Sequence, residues 1–331
     1  MNTTDSRDRV FAVLGLVGLD REGLVPTLLS PDYTKSKAAV YRDATRFICE
    51  ESQRLGLLAS IHHRDQDDIN AGGFTSWAVR WQRSFDGNID PIAFPWNLFF
   101  LYDASDGLEW APRTRVEAGS NLHYIPDVLR VQGFTLDKVA QVSDALSWEH
   151  LLNLPSMTAL LASATLLAAN ARRLNNKDFT FAPAATLVAG CLEARVSASA
   201  EEILEASNAF SSFLKQEDKP PLWLFQLDEN ADQQSRAASR YMLAMHSAWM
   251  HRRFFLTESG YIGLGPKVTQ KGDVVAILIG GPWPFILRLC EASCEANYQF
   301  LGQCYVHGVM DGEAARAHQD GNSELERFDL V

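Results

Sequence analysis

Arg80 lies between two tryptophans, Trp77 and Trp81, and is the one charged residue in the segment 74–81. A guanidinium group offers a planar set of donors that matches a carboxylate or a carbonyl, and it also stacks on aromatic rings. This arrangement predicts that Arg80 is a catalytic or anchoring donor in a substrate pocket with walls formed by Trp77 and Trp81. The alternative is a surface arginine that covers two core tryptophans.

A second group of candidate residues is His246, Trp249 and Arg253. His246 and Trp249 are three residues apart, which places them on one face of a helix. A hydrogen bond from His246 to a substrate carbonyl would stabilise the charge that develops there during reaction. We therefore predict His246 as a second catalytic residue, and Trp249 and Arg253 as substrate-binding residues. The alternative is a helix end whose carbonyl groups are satisfied by histidine and arginine.

Metal ligands are not indicated by the spacing of the residues that could supply them. His62 and His63 are followed by Asp65, Asp67 and Asp68, but these residues lie on a predicted loop without the spacing of a metal site. This pattern is typical of a solvated loop. We predict no metal and no cofactor.

Charge and apolar patterning exclude several classes of partner. The formal net charge of −11 argues against binding to nucleic acid or to an anionic membrane, because phosphate binding needs clustered Lys and Arg. Charged residues precede the first apolar run, unlike in a signal peptide, and the longest apolar run, Met157–Ala169, is too short to span a bilayer. Five cysteines without a C-x-x-C pair favour reduced thiols. These observations predict a cytoplasmic protein with no nucleic-acid partner and no membrane span.

The chain alternates between helical and strand-like patterns in three portions. Residues 1–145 mix both patterns, with short strands expected at Leu57–Ile61, Thr114–Glu117 and Val128–Val131, the last of which continues into a turn before Val139. Residues 146–251 have helical spacing, and residues 252–319 have short β-branched and aromatic runs separated by Gly, Pro and Asp, which is typical of antiparallel hairpins. The five strands predicted there are Arg253–Leu256, Tyr261–Leu264, Asp273–Ile279, Phe285–Leu289 and Tyr298–His307.

These patterns predict an α+β fold in which a central helical cluster packs with a C-terminal antiparallel sheet or small barrel. We expect one continuous globular unit rather than three independent domains. The last residues, Asp320–Val331, are predicted to form a mobile tail.

Seven segments with recognisable motifs are spread over nearly the whole chain: Asp5–Leu16, Pro31–Ser36, Val40–Asp43, Ser76–Trp81, Leu129–Asp137, Arg253–Pro266 and Gln303–Ala314. In this order they resemble the region downstream of the HET domain in fungal heterokaryon-incompatibility proteins of the HET-6 type. In that family the HET domain, thought to trigger cell death, lies upstream of the segment equivalent to Asp5. The resemblance therefore implies a chain without this effector domain, and it carries over no catalytic residues.

Two departures from the family pattern suggest a small-molecule pocket. Where relatives tend to read Pro-Ser-Trp-Val-Pro-Asp-Trp, this chain has Arg80 in place of the acid. Where relatives often read Phe-Trp-Arg-Thr-Leu, this chain has Ala184 and Ala185 in place of Trp and Arg. Loss of that side-chain volume leaves a cavity unless neighbours refill it, so Ala184 and Ala185 are predicted to contact a substrate.

Three functions are compatible with these observations. The first is a cofactor-independent cyclase or pericyclase of fungal secondary metabolism, which would catalyse a Diels–Alder cycloaddition by shape and preorganised donors. Its substrate would be a small apolar terpenoid or polyene with a carboxylate or carbonyl group. Stand-alone HET-like proteins are suspected in such pathways, including one that forms the norbornene of sordarin-type diterpenoids, although this likeness is one of architecture. The second is a non-enzymatic HET-like recognition or regulatory protein, and the third is a fragment with a purely structural fold.

Overall fold

The computed structural model describes residues 4–16, 29–69, 71–81, 102–108, 110, 127–171, 178–193, 196–216, 231–290, 296–321 and 324–331. These residues form eight α-helices and ten β-strands. Most strands belong to one closed barrel in the C-terminal half of the chain, and the helices pack around it. The predicted α+β class is therefore confirmed.

The helices begin where polar side chains cap their first turns. Ser36, Ser199 and Asp232 each accept a hydrogen bond from a backbone N–H in the first turn, and Glu202 completes a capping box with Ser199. The helices are α1 (Asp8–Leu16), α2 (Lys37–Ser52), α3 (Trp148–Leu152), α4 (Leu154–Ala169), α5 (Asp178–Leu187), α6 (Ala200–Leu214), α7 (Gln233–Trp249) and α8 (Glu313–Asp320).

The strands are mostly short, except for the first, which has 17 residues. They are β1 (Leu129–Ala145), β2 (Cys191–Glu193), β3 (Val196–Ser197), β4 (Arg252–Thr257), β5 (Ile262–Pro266), β6 (Val274–Leu278), β7 (Pro284–Leu289), β8 (Asn297–Gln303), β9 (Tyr305–Val306) and β10 (Glu326–Leu330). The five predicted strands of residues 252–319 are found as β4 to β9, with β8 and β9 in place of the last one. Strands β2 and β3 form a separate pair.

The barrel closes because two strands each pair with different partners along their length. The first half of β1 pairs with β6 and β10, and its second half pairs with β4. Only Cys304 separates β8 from β9, so one bent strand pairs first with β7 and then with β5. The pairing therefore runs from β1 through β4 and β5 to the bent strand β9/β8, and then through β7 and β6 back to β1. No edge remains along this path.

Alternate side chains of the barrel strands point inward and form one apolar cluster. Six strands contribute to it, through Val139, Phe255, Val275, Ile286, Leu301 and Val306. Phe255 has room because Gly263, on the neighbouring strand, has no side chain: a Cβ there would lie 2.5 Å from the Phe255 ring and 2.2 Å from the Tyr305 carbonyl oxygen. The glycine is thus required for close approach of backbone and ring.

The outside of the barrel is covered on two sides. Residues of α4 to α7 form the largest apolar cluster together with outward-facing residues of β4 and β5, such as Phe254 and Leu264. A second cluster joins α2 and Trp77 to outward-facing residues of β6, β7, β8 and β10. The predicted packing of a helical cluster against the β portion is confirmed. The domain boundaries at residues 145 and 251 stay a prediction, although β1 lies before both boundaries and pairs with strands that follow them.

Two predicted elements are wrong. The tail from Asp320 is ordered, because β10 pairs with β1 and β8 and fully buries Phe328 and Leu330. The segment Leu57–Ile61 is a 3-10 turn, since Leu58 N–H and Ile61 N–H donate to carbonyl oxygens three residues earlier. Leu58, Ala59 and Ile61 are buried there, and Leu57 is partly buried. The strand predicted at Thr114–Glu117 lies outside the described residues.

Candidate functional site

Two apolar side chains from loops close the end of the barrel where β4 begins and β5 ends. Ile69 and Val268 both belong to the interior cluster and are 2% and 3% exposed. Gln66 links the two loops, because its Nε2 donates to the Val268 carbonyl oxygen at 2.7 Å. We call this region, with its loops 66–69 and 267–273, the plugged end.

Arg80 holds the loop that supplies Ile69. Its Nη1 donates to Asp68 Oδ1 at 2.8 Å, and its Nη2 donates to the carbonyl oxygens of Asp68 and Ile69 at 2.5 and 3.0 Å. The guanidinium carbon lies 5.0 Å from the ring centroid of Phe74. These contacts give Arg80 a structural role at the plugged end. Its role as a donor to a substrate stays a prediction.

A second buried ion pair fixes the loop that carries Val268. Arg288 Nε and Nη2 donate to the two carboxylate oxygens of Asp273 at 2.8 and 2.9 Å, and Nη2 also donates to the Val268 carbonyl oxygen at 2.9 Å. Burial raises the pKa of the Asp273 carboxyl, and the hydrogen bonds from Arg288 oppose this shift without cancelling it. Arg288 therefore positions the loop, and burial still destabilises the charged form of the Asp273 carboxyl in part.

Arg253 lies at the same end of the barrel. It is directly opposite Gly265 and two residues before Phe255, so its side chain starts on the inward face of the β4–β5 pair. A Cβ at Gly265 would lie 2.7 Å from Thr269 Oγ1, which therefore fills the place of the missing side chain. Thr269 is 1% exposed. Among the described residues, Thr269 Oγ1 and Arg253 Nε are buried without a hydrogen-bond partner.

Trp77 and Trp81 lie on the outside of the barrel. Trp77 is fully buried, donates from Nε1 to the Asp127 carbonyl oxygen at 3.2 Å, and has the Arg46 guanidinium 5.2 Å from its ring centroid. Trp81 is partly buried and packs against both the outer barrel cluster and the N-terminal helices. Substrate contact by either tryptophan stays a prediction.

Ala184 and Ala185 lie on α5 inside the largest apolar cluster and are 8% and 1% exposed. The Tyr241 hydroxyl donates to the Ala184 carbonyl oxygen at 2.9 Å. The ring of Tyr241 packs in turn against Phe210, with centroids 5.6 Å apart. Large aromatic rings from α6 and α7 therefore pack in the cluster that contains the two alanines.

His246 and Trp249 lie near the end of α7, as the helical spacing predicts. His246 is 9% exposed, and its ring centroid lies 4.9 Å from that of Trp148, which is half exposed on α3. Trp249 is fully buried in the same cluster as Ala184 and Ala185. The structure thus groups Ala184, Ala185 and Trp249 in the helical cluster, whereas Arg80 and Arg253 lie at the plugged end.

A buried polar cluster was not identified from the sequence. The Tyr102 hydroxyl donates to the Ala189 carbonyl oxygen and lies 3.5 Å from Cys191 Sγ, while the hydroxyl of Tyr305 lies 3.4 Å from His307 Nδ1. The rings of Tyr102 and Tyr305 meet edge to face at 6.1 Å. Burial raises the pKa of both the Tyr305 hydroxyl and the Cys191 thiol. The one signal in the sequence was the spacing of Tyr305 and His307, which are two residues apart and so lie on the same face of an extended chain.

Metal-ligand groups, cysteines and membrane-spanning helices can be assessed in the part of the chain that the structure describes. Within the ranges given above, no group of three or more His, Cys, Asp or Glu side chains is placed to hold a metal ion. Cys49, Cys191, Cys290 and Cys304 are free thiols. Among the described helices, none has both the length and the apolar character needed to cross a bilayer.

Comparison with known proteins finds similarity in the barrel region. The Het-6 β-barrel domain matches residues 202–324, from α6 to just before β10. The heterokaryon incompatibility protein 6, OR allele, of Neurospora crassa is 38% identical over 80 residues, which are 24% of this chain and 11% of that protein. The chain therefore matches only about a tenth of the length of this curated relative. No solved structure matches. Part of the chain is thus similar to the Het-6 β-barrel domain and to a fungal heterokaryon incompatibility protein.

Proposed function

We propose that this chain is a HET-like recognition or regulatory protein in heterokaryon incompatibility and that it acts by binding rather than by catalysis. The observation that carries this proposal is the match of residues 202–324 to the Het-6 β-barrel domain, together with the similarity to a protein named for heterokaryon incompatibility. The match includes β4 to β9, which form most of the closed barrel.

The arrangement of Arg80 agrees with a binding function. Its donors are used to hold Asp68 and Ile69, which keep the plugged end closed and the barrel surface defined. A rigid barrel that presents loops of fixed geometry is suited to recognition, because binding residues are commonly carried on loops positioned by a rigid scaffold.

The test is genetic. Two otherwise isogenic fungal strains would carry either the same or different natural versions of this gene, and the survival of fused cells would be scored. We expect death or arrest of the fused cells only when the versions differ. Equal survival in both pairings, with the protein present at equal levels, would reject the proposal. A strain carrying Gly263→Ala, which damages the barrel, serves as the loss-of-protein control.

The cofactor-independent cyclase predicted from the sequence is a second candidate. The observation that bears on it is Arg253, a partly buried cation beside the apolar barrel interior, which would suit a substrate with a carboxylate or carbonyl. Deletion of the gene followed by metabolite profiling tests this candidate. Accumulation of an uncyclised apolar precursor would favour the cyclase, and an unchanged profile would count against it. Both candidates place the protein in the cytoplasm.

A further inference from the structure

At the plugged end, the partners of Arg80, Arg288 and Arg253 differ. Arg80 is paired with Asp68 and Arg288 with Asp273, in each case at 2.8 Å. Arg253 has no ion pair and no side-chain hydrogen bond within the described ranges, and its Nε atom is buried. A buried N–H group without a hydrogen-bond partner is costly unless an acceptor is supplied from outside the chain.

A second donor that has no partner among the described residues lies beside Arg253. Thr269 Oγ1 is buried where the side chain of Gly265 would be, and Gly265 is the direct neighbour of Arg253 across the β4–β5 ladder. Directly opposed side chains in such a ladder start about 5 Å apart. The Thr269 hydroxyl and the start of the Arg253 side chain are therefore neighbours at the inner rim of the barrel.

The chemistry of the two groups selects the ligand. A guanidinium group binds a carboxylate with two parallel hydrogen bonds, and a hydroxyl adds a third donor to the same acceptor. The neighbouring surface is apolar, since the Phe255 ring lies 3.3 Å from the Cβ position at Gly265 and Ala145 lies opposite Arg253 on β1. One cation next to an apolar wall fits one carboxylate attached to an apolar body.

We propose that Arg253 and Thr269 form a binding site for the carboxylate of a small and otherwise apolar molecule. This site does not depend on the proposed incompatibility function, because it rests on the partners of two side chains and not on the family. Occupation of the site would satisfy both buried donors and would tie β4 to the loop 267–273.

Isothermal titration calorimetry tests the site with matched probes. Cyclohexanecarboxylate supplies the carboxylate and an apolar ring, cyclohexylmethanol supplies the same ring without charge, and inorganic phosphate supplies an anion without an apolar body. We expect the carboxylate to bind most tightly to the natural protein. Arg253→Gln should weaken its binding about tenfold or more, and Thr269→Val by a smaller factor of about three to ten.

Two further variants make the result decisive. Arg54→Gln removes an exposed arginine elsewhere and should leave carboxylate binding unchanged. Arg253→Lys keeps the charge but not the planar fork of donors, so this variant should bind the carboxylate more weakly than the natural protein. It takes the place of Arg253→Gln if the glutamine variant does not fold. The proposal is overturned if the natural protein binds no carboxylate, if phosphate or the alcohol binds equally well, or if neither Arg253 variant changes the affinity.

Discussion

Arg80 Nη1 donates to Asp68 Oδ1 at 2.8 Å, and the two side chains are only 8% and 13% exposed. The same guanidinium also binds two backbone carbonyl oxygens of the loop that inserts Ile69 into the barrel interior. An arginine chosen from the sequence as a donor to a substrate is therefore part of the closure of the barrel. The loss of the Arg80 side chain is therefore tested first by its effect on stability and only then by its effect on activity.

We expect Arg80→Met to lower the free energy of unfolding by about 3 kcal/mol, because it leaves the mostly buried Asp68 carboxylate without its counter-charge. Urea denaturation followed by circular dichroism measures this change. Arg64→Ala, at an exposed position in the same region, should change the value by less than about 0.5 kcal/mol.

A double-mutant cycle with Asp68→Asn separates the pair from its surroundings. If the two single substitutions add without coupling, the ion pair does not hold the loop. Unchanged stability of Arg80→Met would equally contradict the structural role and would return Arg80 to the list of candidate substrate donors.

The Asp273 carboxyl makes stability depend on pH. Its folded pKa is raised by burial above the unfolded value of about 3.9, so the folded state binds more protons than the unfolded state between the two values. Its contribution to stability is therefore full below the unfolded pKa and is lost as pH rises through the folded pKa. The difference in unfolding free energy between the natural protein and Asp273→Asn should decrease over this window in a series of denaturation curves. An increase would mean that Arg288 lowers the pKa more than burial raises it.

Gly263→Ala should destabilise the barrel by about 3 kcal/mol, because the new Cβ would lie 2.2 Å from the Tyr305 carbonyl oxygen and 2.5 Å from the Phe255 ring. Thermal and urea unfolding both report the loss. Adding Phe255→Leu removes the contact with the ring but not the contact with the backbone, so it should restore little stability. Full restoration would show that the ring alone requires the glycine.

Thr269→Val is expected to leave stability unchanged or to raise it by about 1 kcal/mol, since it removes a buried hydroxyl that has no hydrogen-bond partner among the described residues. Thr257→Val is the matched control. Thr257 is equally buried, and its Oγ1 accepts a hydrogen bond from the Tyr261 N–H at 2.9 Å, so its replacement should cost about 1 to 2 kcal/mol. Equal losses in the two variants would mean that the Thr269 hydroxyl has a partner in solution.

Much of the fold is predicted from local sequence patterns, because the secondary structure of a segment depends on its neighbours along the chain. The helices of residues 146–251 follow from helical spacing and caps such as Ser199 with Glu202, and the hairpins after residue 251 follow from short apolar runs between turn residues. The helical face that carries His246 and Trp249 is predicted for the same reason. The ends of these helices are less well predicted from spacing. The helix α5 ends at Leu187, because Ala189 and Gly190 turn the chain with positive φ angles.

Closure of the barrel and the partners of the candidate residues were decided only by the tertiary structure. β1 joins strands that follow it by more than a hundred residues, and β10 pairs with β1 and β8 although its own sequence resembles a mobile tail. The sequence alone determined that Arg80 and Arg253 are cations beside aromatic residues. Only the fold decided that Asp68 neutralises Arg80 while Arg253 has no such partner among the described residues, because a side chain's counter-charge depends on contacts in space that short-range spacing does not encode.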